Sequence, residues 1–220
     1  MIQLMQNRYI LIGVFSVIFG CNSQQDAKKT TTLPFINKPD FTPEWISTED
    51  STYPHIHHIP AFSFTDQDGK TVTERTVEGK IYVANFIFTR CASICPKMTA
   101  NIKILQDRFA TDADVIFLSH SVTPDIDSVS VLKRYAEQKG IISGKWHVMT
   151  GSQDLIYRLA KKEYYAGDTI GYYQTGSEFL HTENFLLIDK HRRIRGVYNG
   201  TLEFEMDRLT EDIRTLQQEE

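Results

Sequence analysis

Three cysteines are all that the 220 residues contain, too few for a disulfide-stapled scaffold. Positive charge is not in excess either. The 24 Lys and Arg face 28 Asp and Glu, for a formal net charge of -4. A dedicated nucleic-acid binder shows clustered Lys and Arg, so no nucleic-acid partner is expected. Only one long apolar run occurs, which excludes a multi-span membrane protein. With 12 Gly and 7 Pro the chain is neither collagen-like nor of low complexity. No P-loop, nucleophile elbow or HExxH motif appears, and no internal repeat. What is there is ordinary globular material, 41% hydrophobic and 11% aromatic. The length accommodates one domain with extras, or at most two small ones.

The apolar run, YILIGVFSVIF from Tyr9 to Phe19, follows Arg8 and is too short to cross a bilayer comfortably. A basic residue, a short apolar stretch and then a small residue form the layout of a secretory signal. Ile18-Phe19-Gly20-Cys21 resembles the lipobox of bacterial lipoproteins, in which the cysteine is lipidated and becomes the mature N-terminus. Residues 1–20 are therefore expected to be a lipoprotein-type signal peptide. Cys21 is the expected lipidation site, and the chain is expected to be anchored in the bacterial cell envelope, outside the cytoplasm (periplasm).

Residues 21–58 carry Gln, Lys, Thr, Pro and Asp with little periodicity and read as a tether, whose stretch with Phe35, Phe41 and Trp45 packs on the domain. The folded domain is expected over 59–220. A hairpin turns at Asp66-Gln67-Asp68-Gly69-Lys70, and KIYVANFIF (80–88) reads as a buried central strand. Helices are expected over 96–109, 127–138, from Ser152 or Asp154 to about Lys162, and over 203–218. Further strands are expected at 114–119, 146–149, 184–188 and 194–198. This order describes an α/β sandwich with a mixed central sheet, helices on both faces and an N-terminal hairpin.

With Cys21 assigned to the anchor, Cys91 and Cys95 remain as one close pair, more chemical than structural in character. They sit where the central strand ends and a helix begins, the end of an α/β sheet at which ligands bind. Cys95 is expected at the helix N-terminus, where free N–H groups and the macrodipole favour a thiolate, with Arg90 adding positive charge. Such thiols serve disulfide exchange or soft-metal binding, and the spacing of three residues leaves both open.

Four ordered pieces, FSFTDQDGK, GKIYVANFIFTRCASICPKMT, HSVTPDIDSVSVLKRYAEQKG and FLHTENFLLIDKHRRIRGVYNG, resemble the SCO/SenC family of copper-binding, thioredoxin-like proteins. The resemblance implies a thioredoxin-like three-layer sandwich. It also implies a copper site, Cu(I) or Cu(II), made of Cys91, Cys95 and His181. The implied function is a metallochaperone delivering copper to a cytochrome c oxidase subunit or another copper acceptor. Many family members carry Asp where this chain has Ser93 and Thr123.

A thiol–disulfide oxidoreductase that reduces cysteines of a copper acceptor is the alternative, with Cys91 attacking and Cys95 resolving. A peroxidase is the weakest reading, because Arg90 alone supports it. His55, His57 and His58 read as a solvated linker rather than a metal tract, and His120 reads as core packing. Asp127 is expected to cap the following helix, with Asp125 given no further role. Tyr164-Tyr165 and Tyr172-Tyr173 read as an inserted hairpin around Gly167 and Gly171.

Overall fold

The computed structural model describes residues 32–166 and 182–219. The leader, Cys21, His181, and the Gly167, Gly171 and Tyr172-Tyr173 portion of the expected insertion lie outside them.

The first described elements are two short strands, β1 (Phe35–Ile36) and β2 (Pro43–Glu44), paired antiparallel. The next hairpin joins β3 (Ser63–Asp66) to β4 (Thr71–Thr73). Its turn is built by Asp66, whose Oδ1 accepts the backbone N–H groups of Asp68 and Lys70, while Gly69 takes φ +74°. The apolar run forms β5 (Ile81–Ile87), every residue of it buried. Then come α1 (Cys95–Arg108), β6 (Val115–Ser121), α2 (Val129–Lys139), β7 (Trp146–Thr150) and α3 (Gln153–Arg158). Gly140, just past α2, adopts φ +65° and ends the helix as expected. After α3 the chain loosens into a π turn over Leu159–Glu163. The last elements are β8 (Asn184–Ile188), β9 (Ile194–Asn199) and α4 (Glu205–Gln218).

The main sheet has the order β4-β3-β7-β6-β5-β8-β9. β5, β6 and β7 run parallel, and β3 and β8 join them antiparallel on either side. Alternation along β5 divides the core between two layers. Ile81, Val83 and Ile87 pack with Met98, Ile102 and Leu105 of α1, Leu132 of α2 and Met206, Leu209 and Ile213 of α4. Tyr82, Ala84 and Phe86 face the other way, toward Ile156 of α3, Leu159, Tyr164 and the N-terminal Ile36, Ile59 and Phe62. Helices thus cover both faces of a mixed sheet, the architecture expected.

Packing begins at Leu33, within the stretch read as tether. Arg195 on β9, itself buried, donates to the carbonyls of Leu33 (2.6 Å) and Pro34 (3.0 Å). It pairs with Asp189 (3.2 Å) and Glu219 (2.7 Å) and lies 4.2 Å over the Phe35 ring. Phe35, Ile36 and Ile56 are buried and Phe41 packs on the core, whereas Trp45 is 67% exposed. A few well-spaced apolar residues hold this segment down, too sparse to register as periodicity.

Candidate metal centre

β5 delivers the chain to the carboxyl end of the parallel strands, and the loop from Phe88 to Ile94 carries it to α1. Cys91 donates its N–H to Phe88 O (3.2 Å). Cys95 is the first residue of α1, followed by Pro96, whose fixed φ suits a helix start and whose missing N–H costs nothing there. Both cysteines are free thiols, Cys91 half-buried and Cys95 only 4% exposed.

The helix N-terminus serves Cys91. The Cys95 N–H points at Cys91 Sγ, 3.5 Å away. Partial burial works against the charged form of Cys91. The N–H groups of Cys95, Ser93 and Ile94, with help from the Cys95 thiol, outweigh it and hold this thiol below its ordinary value. Burial pushes the Cys95 thiol up to about 12, a neighbouring N–H of Phe88 offsets part of that, and the adjoining Cys91 adds to the rise. The expectation that Cys95 is the favoured thiolate is therefore corrected. At the first helical position its side chain turns into the core, while its N–H is left to point at the other sulfur. Arg90 is exposed and is not among the leading causes of either shift.

The loop is fastened from two sides. Thr99 on α1 accepts from Tyr135 Oη (2.6 Å) and donates to Cys95 O (2.8 Å). Asp127, expected to cap α2, does not: Ser128 holds the cap position, with no side-chain capping bond to a helix N–H. The Asp127 carboxylate is instead buried and accepts from Thr89, two residues before Cys91. Sequence spacing carries no trace of this link, because it joins loops 38 residues apart. Asp125 is exposed.

Other expected residues stay apart from the pair. His55 and His58 are exposed, and His57 places Nε2 2.9 Å from Glu163 O, with its ring 4.9 Å from that of Tyr165. Among the described residues no three His, Cys, Asp or Glu converge as a metal site. His120 is wholly buried among Phe62, Phe64, Phe86 and Tyr164, with neither ring nitrogen hydrogen-bonded. Burial drives its pKa down to about 3. His181 precedes β8, and β8 lies beside β5, the strand that leads to Cys91 (Ala84 opposite Leu186).

A family model described as SCO1/SenC matches residues 50–218. The chain belongs to the SCO1/SenC family. An SCO1 protein homolog of Bacillus subtilis (strain 168) is 31% identical over 164 residues, 74% of this chain and 84% of that one. Among solved structures, a SCO1/SenC family lipoprotein from Bacillus anthracis str. Ames is 30% identical with a TM-score of 0.65, covering 73% of this chain and 95% of its own. BsSco, a Sco family cytochrome c oxidase assembly protein with a disulfide switch, is 29% identical with a TM-score of 0.62, over 73% and 94%. ScoI of Arabidopsis thaliana with copper bound is 26% identical with a TM-score of 0.57, over 72% and 98%. The shared SCO1/SenC fold is the thioredoxin-like sandwich that the sequence resemblance implies.

Proposed function

We propose that this SCO1/SenC chain carries one copper ion as cargo, held by Cys91, Cys95 and His181. It gives the ion up by ligand exchange to a copper-acceptor protein, such as the copper-site subunit of cytochrome c oxidase during assembly. The observation that carries this reading is the pair itself: two unbridged thiols at the mouth of a strand–helix turn, one of them held toward its thiolate. Two sulfur donors suit Cu(I), and an added imidazole extends the site to Cu(II). The copper-bound ScoI and the assembly protein BsSco support copper as the cargo and the oxidase as its destination. The lipoprotein relative supports an anchor at Cys21, with residues 1–20 removed and the site facing outside the cytoplasm. The connection then ends at Leu33, where packing on the carrier domain begins, rather than at residue 58.

Titrating the purified chain with Cu(I) against a competing chelator tests the reading. One equivalent binds, and Cys91→Ala, Cys95→Ala and His181→Ala each weaken it by about tenfold or more. Full stoichiometric binding at unchanged affinity by Cys91→Ala overturns the assignment.

The unequal thiols also favour a second activity, thiol–disulfide exchange. Cys91 as thiolate attacks a disulfide on the copper acceptor, forming a mixed disulfide and releasing one acceptor thiolate. Cys95 then loses its proton, attacks Cys91 Sγ and releases the second, leaving the acceptor reduced and this pair oxidised. His181→Ala separates the two activities: copper affinity falls while exchange survives.

A further inference from the structure

Asp127 lies between β6 and α2 and is completely buried. Its partners are all neutral. Thr89 donates its N–H to Oδ2 (3.2 Å) and its hydroxyl to Oδ1 (2.5 Å), so one residue spans both oxygens. Ser121 (2.6 Å) and Thr123 (3.1 Å) donate hydroxyls to Oδ2, and Thr123 N–H braces Ser121 Oγ (3.2 Å). Among the described residues no Lys or Arg pairs with it. Burying a carboxylate without a cation is costly unless donors fill its lone pairs, and here they do.

The location gives this cluster its meaning. Thr89 stands between Phe88, whose N–H serves the Cys95 sulfur, and the turn that carries Cys91. On the other side, Tyr135 of α2 holds Thr99, which holds the Cys95 carbonyl. Cys95 is thus tied to α2 by a chain of hydrogen bonds through Thr99, and the loop carrying Cys91 is tied to the start of α2 through Thr89, two residues away along the backbone. Strand β5 and helix α1 alone fix only the ends of the loop between them.

We propose that Asp127, acting through Thr89, is a positioning residue that sets how closely Cys91 approaches Cys95. It deepens the reading above and rests on it for the pair's purpose, though not for the geometry. A loop already held in the working arrangement gives up less freedom when the pair closes on an ion or on itself. With Thr89 released, the Cys91 arm samples more positions, and closure becomes less favourable.

Equilibrating the full chain with glutathione tests this. The Cys91–Cys95 S–S bond forms as the S–S bond of oxidised glutathione breaks, and two glutathione molecules leave with the two electrons and two protons. Thr89→Val, close in shape but without the hydroxyl, and Asp127→Ala both shift this equilibrium by about tenfold toward the dithiol. Thr89→Ser, which keeps N–H and O–H, restores it to within about twofold, and Ser121→Ala, which leaves Thr89 bound, moves it by less than about threefold. A Thr89→Val equilibrium equal to wild type, with or without a lowered Tm, overturns the proposal. So does a Ser121→Ala shift as large as that of Thr89→Val. Should Asp127→Ala fail to fold, the threonine variants decide. Failure of the wild-type chain to bind copper overturns the copper reading and leaves this equilibrium intact as a measure.

Discussion

The amide of Cys95 and the sulfur of Cys91, 3.5 Å apart, divide the labour of the helix start between two residues. Burial raises the Cys95 thiol, while the N–H that this residue lends helps hold the more accessible Cys91 low, and the two thiols diverge in acidity.

Alkylation reads this divergence. With iodoacetamide near neutral pH, Cys91 is modified first, by about tenfold or more, since only the thiolate reacts. Its rate-versus-pH midpoint lies below the ordinary thiol value of about 8.5. Peptide mapping after short exposures gives the ratio, and equal labelling of both cysteines contradicts the geometry.

His120 makes the fold sensitive to acid. Its folded pKa of about 3 lies beneath the ordinary 6.5, so below pH 6.5 the unfolded chain takes up a proton that the folded one refuses. Stability is whole above about pH 6.5 and falls by ~1.4 kcal/mol for each unit down toward about pH 3. Urea unfolding between pH 7 and 5 shows the slope. His120→Phe reduces it by one proton's worth, with its ring taking the same aromatic surroundings.

Arg195→Ala removes a cation shared by Asp189 and Glu219 and the donor to two N-terminal carbonyls. A loss of about 3 kcal/mol is expected for stranding buried partners. Limited proteolysis then cuts around residues 33–45 faster than in the wild-type chain. Unchanged cleavage would show that Phe35 and Ile36 hold the segment without it.

Gly200 takes the backbone close to the Phe185 ring, where an added Cβ would meet carbons at 2.4–2.7 Å. Its carbonyl accepts from Asn101, and its N–H donates to Glu183 O. Gly200→Ala costs about 1–3 kcal/mol by overpacking, seen as a lowered Tm.

Elements with strong periodicity were legible from residues alone. The run Ile81–Ile87 and the segment Asn184–Ile188 are strands where their short apolar runs placed them, and Gly140 ends α2 as its position implied. The cysteine pair was legible because two thiols so close together have few structural uses. Three features were hidden for a common reason: each depends on partners distant along the chain. They are the burial of the Cys95 side chain in the core, the grip of Asp127 on Thr89, and the hold of Arg195 on Leu33 and Pro34. Local propensity favours an Asp just before a helix as a cap, and only the meeting of the β5–α1 and β6–α2 loops overrides it.

The Arg195 fastening also governs orientation. It secures the chain at the floor of the sheet, by the turn between β8 and β9, while the thiols open at the roof where β5 ends. If Cys21 is the point of attachment, the leash up to Leu33 reaches at most about 40 Å. A recipient rooted in the same bilayer then meets the thiols only when the domain tips over inside that radius, so shortening the leash should slow hand-over without touching affinity.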